Sequence, residues 1–116
     1  LGRLRGATAL KVEFIFRPKG QKLKIGEVQA FVNQKLAEFP FKGLCESVTQ
    51  MSKWLVVLVD FPDLKAHKRT YNEPVELWWE VLAGYIALQF DVCFLHWEIH
   101  GETRSLIYHK EWERQE

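Results

Sequence analysis

The run WLVVLVDF, residues 54 to 61, constrains the fold more than any other stretch, because its apolar residues do not alternate with polar ones. Strands that are apolar on both sides lie inside a sheet with both faces covered. The run therefore predicts a central strand. Pro62, which cannot donate a hydrogen bond to a neighbouring strand, is expected to end it.

The segment from Asn72 to Phe90 carries the strongest helix signal. Asn72 suits an N-cap and Pro74 suits the first helical turn. After Glu80 there is no charged residue until Asp91, and apolar residues occupy almost the whole circumference. This pattern predicts a helix that is covered on more than one side.

The remaining elements follow from the period of the apolar residues. One further amphipathic helix and four further strands are predicted, at Glu27–Phe39, Leu10–Phe16, Leu44–Gln50, Asp91–His100 and Arg104–His109. The order β-α-β-β-α-β-β is that of a ferredoxin-like plait with an added C-terminal hairpin strand. We expect an α+β fold, two helices on one face of an antiparallel sheet, and the strand order 2-3-1-4-5.

The length of 116 residues fits one domain. We expect a basic lead-in over residues 1–9, a single α+β domain over residues 10–112 and a charged tail over residues 113–116. Because the first residue is Leu and not Met, we expect a processed form, a fragment or an altered N-terminus. The longest uncharged apolar run is well below the roughly 18 residues that a bilayer requires, and no membrane association is expected. Two cysteines in so apolar a domain favour reduced thiols and a cytoplasmic setting.

A plait leaves one face of its sheet without helices. The alternation of the strands predicts that this face receives His96 and a set of apolar side chains, namely Ile15, Trp54, Val56, Leu58 and Phe94. A lone soluble domain rarely exposes so much apolar surface. The second helix presents a further set of apolar residues, namely Leu77, Trp79, Val81 and Leu88. The first helix is expected to pack on another side of it and cannot cover this set too.

These two surfaces predict a non-enzymatic protein-interaction or assembly domain with no cofactor. Isologous pairing is the commonest arrangement of soluble oligomers, so a homodimer through the sheet is the first expectation. A different protein, a small ligand or another part of the same chain stay open as alternative occupants of the sheet face.

Binding of RNA or single-stranded nucleic acid is an alternative. Trp54 and Phe94 are candidates for stacking on bases, and several basic residues are candidates for phosphate contacts, namely Arg3, Arg5, Lys19, Lys22, Lys24, Lys65, Lys68 and Arg69. Against this, the strands lack the glycine and aromatic pattern of the RNA-recognition motif. The net charge of +1 is also far from strongly basic.

A small-molecule or metal-binding enzyme with a site between sheet and helices is the second alternative. The candidate ligands are His96, Glu98, His100 and His109. His96 and His100 lie four residues apart on one strand, about 13 Å, which is too far for one ion to bind both. No phosphate loop and no nucleophile motif appears in the sequence, so the residues favour binding over catalysis.

Overall fold

The computed structural model describes residues 10–62 and 75–100. In chain order its elements are β1 Leu10–Arg17, α1 Ile25–Leu36, β2 Leu44–Gln50, β3 Leu55–Phe61, α2 Val75–Phe90 and β4 Cys93–His100. The predicted α+β class is confirmed. The expected fifth strand at Arg104–His109, the lead-in 1–9 and the tail 113–116 lie outside the described residues.

The four strands form one antiparallel sheet in the order β2-β3-β1-β4. Residues 55–61 of the run WLVVLVDF form β3, which lies between β2 and β1 as a central strand. Phe14 of β1 marks the middle of the sheet, opposite Val57 on β3 and Trp97 on β4.

Both helices pack on the same face of this sheet. Every second residue of β3, from Leu55 to Phe61, is buried, and these side chains belong to one core with the buried residues of both helices. The helices contribute Val28, Val32, Leu36, Trp79, Leu82, Ala83 and Ile86. Each fully buried side chain of this size contributes about 1.5–3 kcal/mol of transfer free energy, so this layer provides most of the stability of the fold.

Aromatic rings run through the core from one end of the sheet to the other. Phe16 contacts Phe94 at a centroid distance of 5.3 Å, and Trp97 and Trp79 meet edge to face at 5.8 Å. Trp79 in turn stacks on Phe61 at 5.6 Å. Most of the described aromatic side chains therefore serve packing.

A β-bulge in β4 corrects the predicted orientation of Phe94. Ile15 lies opposite His96, but the next residue, Phe16, lies opposite Phe94, so Leu95 has no partner on β1. This extra residue breaks the two-residue period. Phe94 consequently faces the helices together with Trp97, whereas strict alternation had placed it on the other side of the sheet.

The loop before α1 is held by side-chain amides. Gln50 Oε1 accepts from the N–H of Leu23 at 2.9 Å, and Gln50 Nε2 donates to Gln21 O at 3.0 Å. Gln21 Nε2 donates to the carbonyls of Phe90 and Asp91, both at 3.0 Å. The loop thus connects the end of β2 to the C-terminal end of α2.

Candidate interaction surfaces

The sheet has an open face, on the side away from the helices. It consists of the strand residues that alternate with the buried ones, and cross-strand register brings them into rows. One row reads Thr49, Val56, Ile15 and His96 from β2 to β4, and the next reads Ser47, Leu58, Glu13 and Glu98. The open face therefore combines apolar and titratable side chains.

The apolar part of the open face lies over β3 and β1. Ile15, Val56 and Leu58 are half-buried among their neighbours. Trp54 continues the row beyond the end of β3 and is 40% exposed, and Met51 is paired with it through two backbone hydrogen bonds of 2.8 and 3.3 Å. This end of the β2–β3 hairpin presents the largest exposed apolar side chains of the sheet.

The remaining residues of the open face are mostly polar or charged, apart from Leu44 on β2, which lies opposite Asp60 and is 57% exposed. Glu13 on β1 lies directly opposite Glu98 on β4, an arrangement in which like charges repel each other. His96 Nε2 lies 3.3 Å from Glu98 Oε2 along the same strand, and Lys11 Nζ lies 3.1 Å from Glu46 Oε2 on the other side. Carboxylates thus lie on both sides of the apolar part, with Glu13 and Glu98 towards β4 and Glu46 towards β2.

The residues predicted for the interface separate into two groups. Ile15, Trp54, Val56 and Leu58 lie on the open face, where the sequence placed them. Phe94 and Trp79 do not, since they are 3% and 2% exposed and belong to the core. For Phe94 the cause is the bulge in β4, and for Trp79 it is the rotation of α2, which directs Trp79 at Phe61.

Helix α2 carries a second exposed apolar surface. We call Leu77, Val81, Gly84 and Leu88 its outer stripe. Leu88 is 85% exposed and Leu77 is 55% exposed. Tyr85 borders the stripe on the side of α1, where Lys35 Nζ lies 4.5 Å from the centroid of its ring. The sequence predicted that Leu77, Val81 and Leu88 belong to an uncovered apolar surface, but it assigned Trp79 to the same surface.

The basic residues proposed for nucleic acid are only partly within the described chain. Lys19 forms an ion pair of 2.9 Å with Asp91, and Lys22 and Lys24 are exposed in the same loop. Arg3, Arg5, Lys65, Lys68 and Arg69 lie outside the described residues. Of the two proposed stacking residues, Trp54 is exposed and Phe94 is buried.

The proposed metal ligands form a pair and not a larger group within residues 10–62 and 75–100. His96 and Glu98 are in contact. His100 ends β4 opposite Lys11, and His109 lies outside the described residues. Nowhere in these two segments do three or more His, Cys, Asp or Glu side chains converge as a metal ion would need.

The two cysteines are not joined to each other by a disulfide. Burial raises the pKa of the Cys45 thiol to about 11, and the neighbouring Glu46 carboxylate acts in the same direction. A thiol with such a pKa is protonated at neutral pH and is a poor nucleophile. Cys45 is therefore a packing residue of β2.

Comparisons with known proteins add no family to this picture. Neither the family models, nor the curated proteins, nor the solved structures include a match to the chain. Within the described segments, neither helix combines the length and the apolar character needed to cross a membrane.

Proposed function

We propose that the chain is a non-enzymatic protein-interaction domain that self-associates through the open face of its sheet, in a reducing, cytoplasmic setting. The observation that carries this proposal is the apolar row on β3 and β1 that continues into exposed Trp54 and Met51. Tryptophan is enriched among the residues that dominate binding energy, because it buries a large area with few rotatable bonds.

We further propose that the fold is a ferredoxin-like plait. The order β2-β3-β1-β4 supports it, because β1 and β3 are then central and each helix connects two strands that are not neighbours. The fifth strand of the proposed arrangement would extend the sheet beyond β4.

Two copies paired through the open face would form two stacked sheets about 10 Å apart. The position of the carboxylates determines how the two copies are arranged against each other. Glu13 and Glu98 are costly to bury without a cation, so the apolar part of one copy should cover the apolar part of the other. The charged β4 side then lies at the rim, where Lys11 or Arg17 of the second copy can approach it.

The other two functions have weaker support. For nucleic-acid binding, Phe94 is not available to stack on a base, because it is buried beside Phe16. Within the described residues, a metal-dependent enzyme is supported only by the contact between His96 and Glu98. Neither alternative explains why apolar side chains are concentrated around Trp54.

The test is the double variant Trp54→Lys, Leu58→Lys. Both side chains point away from the core, so we expect the free energy of unfolding to change by no more than about 1 kcal/mol. The mass from light scattering should fall to half that of the wild type or less. Ser52→Lys, in the turn of the same hairpin, adds a positive charge without removing apolar surface and should keep the wild-type mass. An unchanged mass of the folded double variant would contradict the proposal.

A further inference from the structure

We infer that the outer stripe of α2 packs antiparallel against the same stripe of a second copy of the chain, on the side of the molecule opposite the open face. This interface concerns the helices alone, and it stands whether or not the open face also pairs.

The stripe is continuous, and none of the residues in 10–62 and 75–100 covers it. Its members are spaced by four, three and four residues, which places them in one line along the helix. Val81 is 43% exposed, between the still more exposed Leu77 and Leu88. On the opposite side of α2, Leu82 and Ile86 are fully buried against the sheet. The helix therefore has one apolar row more than the described part of the chain covers.

The spacing identifies the kind of partner. Apolar residues that alternate by four and three are the pattern by which two α-helices interlock their side chains. The complement of such a row is another helix with the same repeat. The chain contains one in its own outer stripe, so a second copy satisfies the pattern without a further component.

The sizes of the side chains fix the direction. In an antiparallel pair Leu77 meets Leu88 of the second copy, and Val81 meets Gly84. A Cβ placed on Gly84 would have no neighbour within 4 Å, so the space that Val81 would fill is open. A parallel pair would instead place glycine against glycine and leave a gap between layers of large side chains.

Charge favours the same direction. Glu76 and Glu80 lie in the first half of α2, and the helix has no basic residue. Parallel pairing would bring four carboxylates together at one end. Antiparallel pairing separates them into two pairs and also opposes the two helix dipoles.

The outward side of α1 supplies the rim of the interface. Its exposed row continues to the C-cap residue Ala37 and consists of small or polar residues, namely Glu27, Ala30, Gln34 and Ala37. Ala30 and Ala37 allow the two helical layers to approach closely. An interface of standard size buries about 800 Å² on each partner, so we expect this row to take part in the contact together with the stripe. An apolar centre within a polar rim is the usual composition of such a contact.

The experiment uses the full chain in the Trp54→Lys, Leu58→Lys background, in which the open face is blocked and α2 is the remaining interface. Sedimentation equilibrium should show a dimer there. Adding Leu88→Glu should weaken it at least about 100-fold, because an unpaired carboxylate would be buried against leucine. Gln89→Glu, one residue further and off the stripe, adds the same charge and should leave the dissociation constant within about threefold.

The direction is tested by combining Leu88→Glu with Leu77→Lys. Antiparallel pairing places the introduced ammonium beside the introduced carboxylate of the second copy, and the dimer should recover at least about tenfold over Leu88→Glu alone. If the combined variant stays as weak as Leu88→Glu, antiparallel pairing is wrong. A background variant that is monomeric at several hundred micromolar overturns the interface itself, while its mass relative to the wild type separately reports on the open face.

Discussion

At the scale of single residues, two glycines show how differently the same substitution acts in this fold. A Cβ on Gly43 would lie 2.9 Å from both Leu36 Cδ2 and Phe61 Cε1, inside the packed core, whereas one on Gly84 would meet nothing. Gly43 is thus required by its surroundings. Gly84 is a gap in the surface of a helix.

We therefore expect Gly43→Ala to lower the free energy of unfolding by about 1–3 kcal/mol, because Leu36 and Phe61 must shift. Gly84→Ala should raise it by up to about 1 kcal/mol, since alanine favours the helix. Urea titration at low protein concentration measures both. Equal effects of the two substitutions would contradict the packing described here.

Cys45 makes the free energy of unfolding depend on pH in the alkaline range. The pKa of its thiol rises from an ordinary 9.0 to about 11 in the folded chain because of burial. Between these values the unfolded chain loses the proton first, so folding is favoured below pH 9 and this contribution is lost as the pH rises to 11. Cys45→Ala should lack this part of the decline. The check is the difference in unfolding free energy between the two proteins from pH 8 to 11; a constant difference would refute it.

At the scale of the elements, α1 protects the edge of the sheet. The N–H of Cys45 in edge strand β2 donates to Asn33 Oδ1 at 2.8 Å, and Gln29 Nε2 donates to Cys45 O at 2.9 Å. Both groups of this residue are thereby occupied by side chains of the helix. An occupied edge cannot accept a further strand at that point.

Asn33→Leu should expose this edge and cost about 1–3 kcal/mol, because a backbone N–H loses its acceptor. Gln89→Leu is the control, since Gln89 is an exposed helical residue outside both proposed interfaces. Thermal unfolding followed by circular dichroism compares them. If both variants unfold at the same temperature, the hydrogen bond from Cys45 contributes nothing measurable.

The sequence predicted the positions of the helices and strands better than the directions in which their side chains point. The apolar residues on both sides of β3 identified a central strand. Among the described residues, however, the helices cover only one of its faces, and the side chains of the other face are half-buried. In β4, apolar residues occur in both alternating sets, so the pattern is compatible with two orientations. Packing of Phe94 against Phe16 selects one of them through a bulge, and no local signal announces it.

The same ambiguity affects α2. Trp78 and Trp79 are adjacent and the helix is apolar on nearly every side, so spacing alone cannot decide which tryptophan is buried. Tertiary contacts decide: Trp79 stacks on Phe61, and Trp78 packs on Phe39 at 5.1 Å. The outer stripe becomes recognisable only after this rotation is known.

At the scale of the whole molecule, the apolar surfaces lie on opposite sides. The open face belongs to the sheet, and the outer stripe belongs to the helical layer. If both pair with a second copy, each contact has its own two-fold axis, and the product is a closed tetramer or an open array. Blocking either surface should leave dimers, and blocking both should leave folded monomers.

Self-association is the central claim, and sedimentation equilibrium of the wild-type chain from about 5 to 500 micromolar tests it most directly, over the range in which weak protein contacts saturate. We expect the average mass to rise with concentration well above the 13.7 kDa of one chain and to fall back in the Trp54→Lys, Leu58→Lys variant. A wild-type mass that stays at one chain over the whole range would contradict the account.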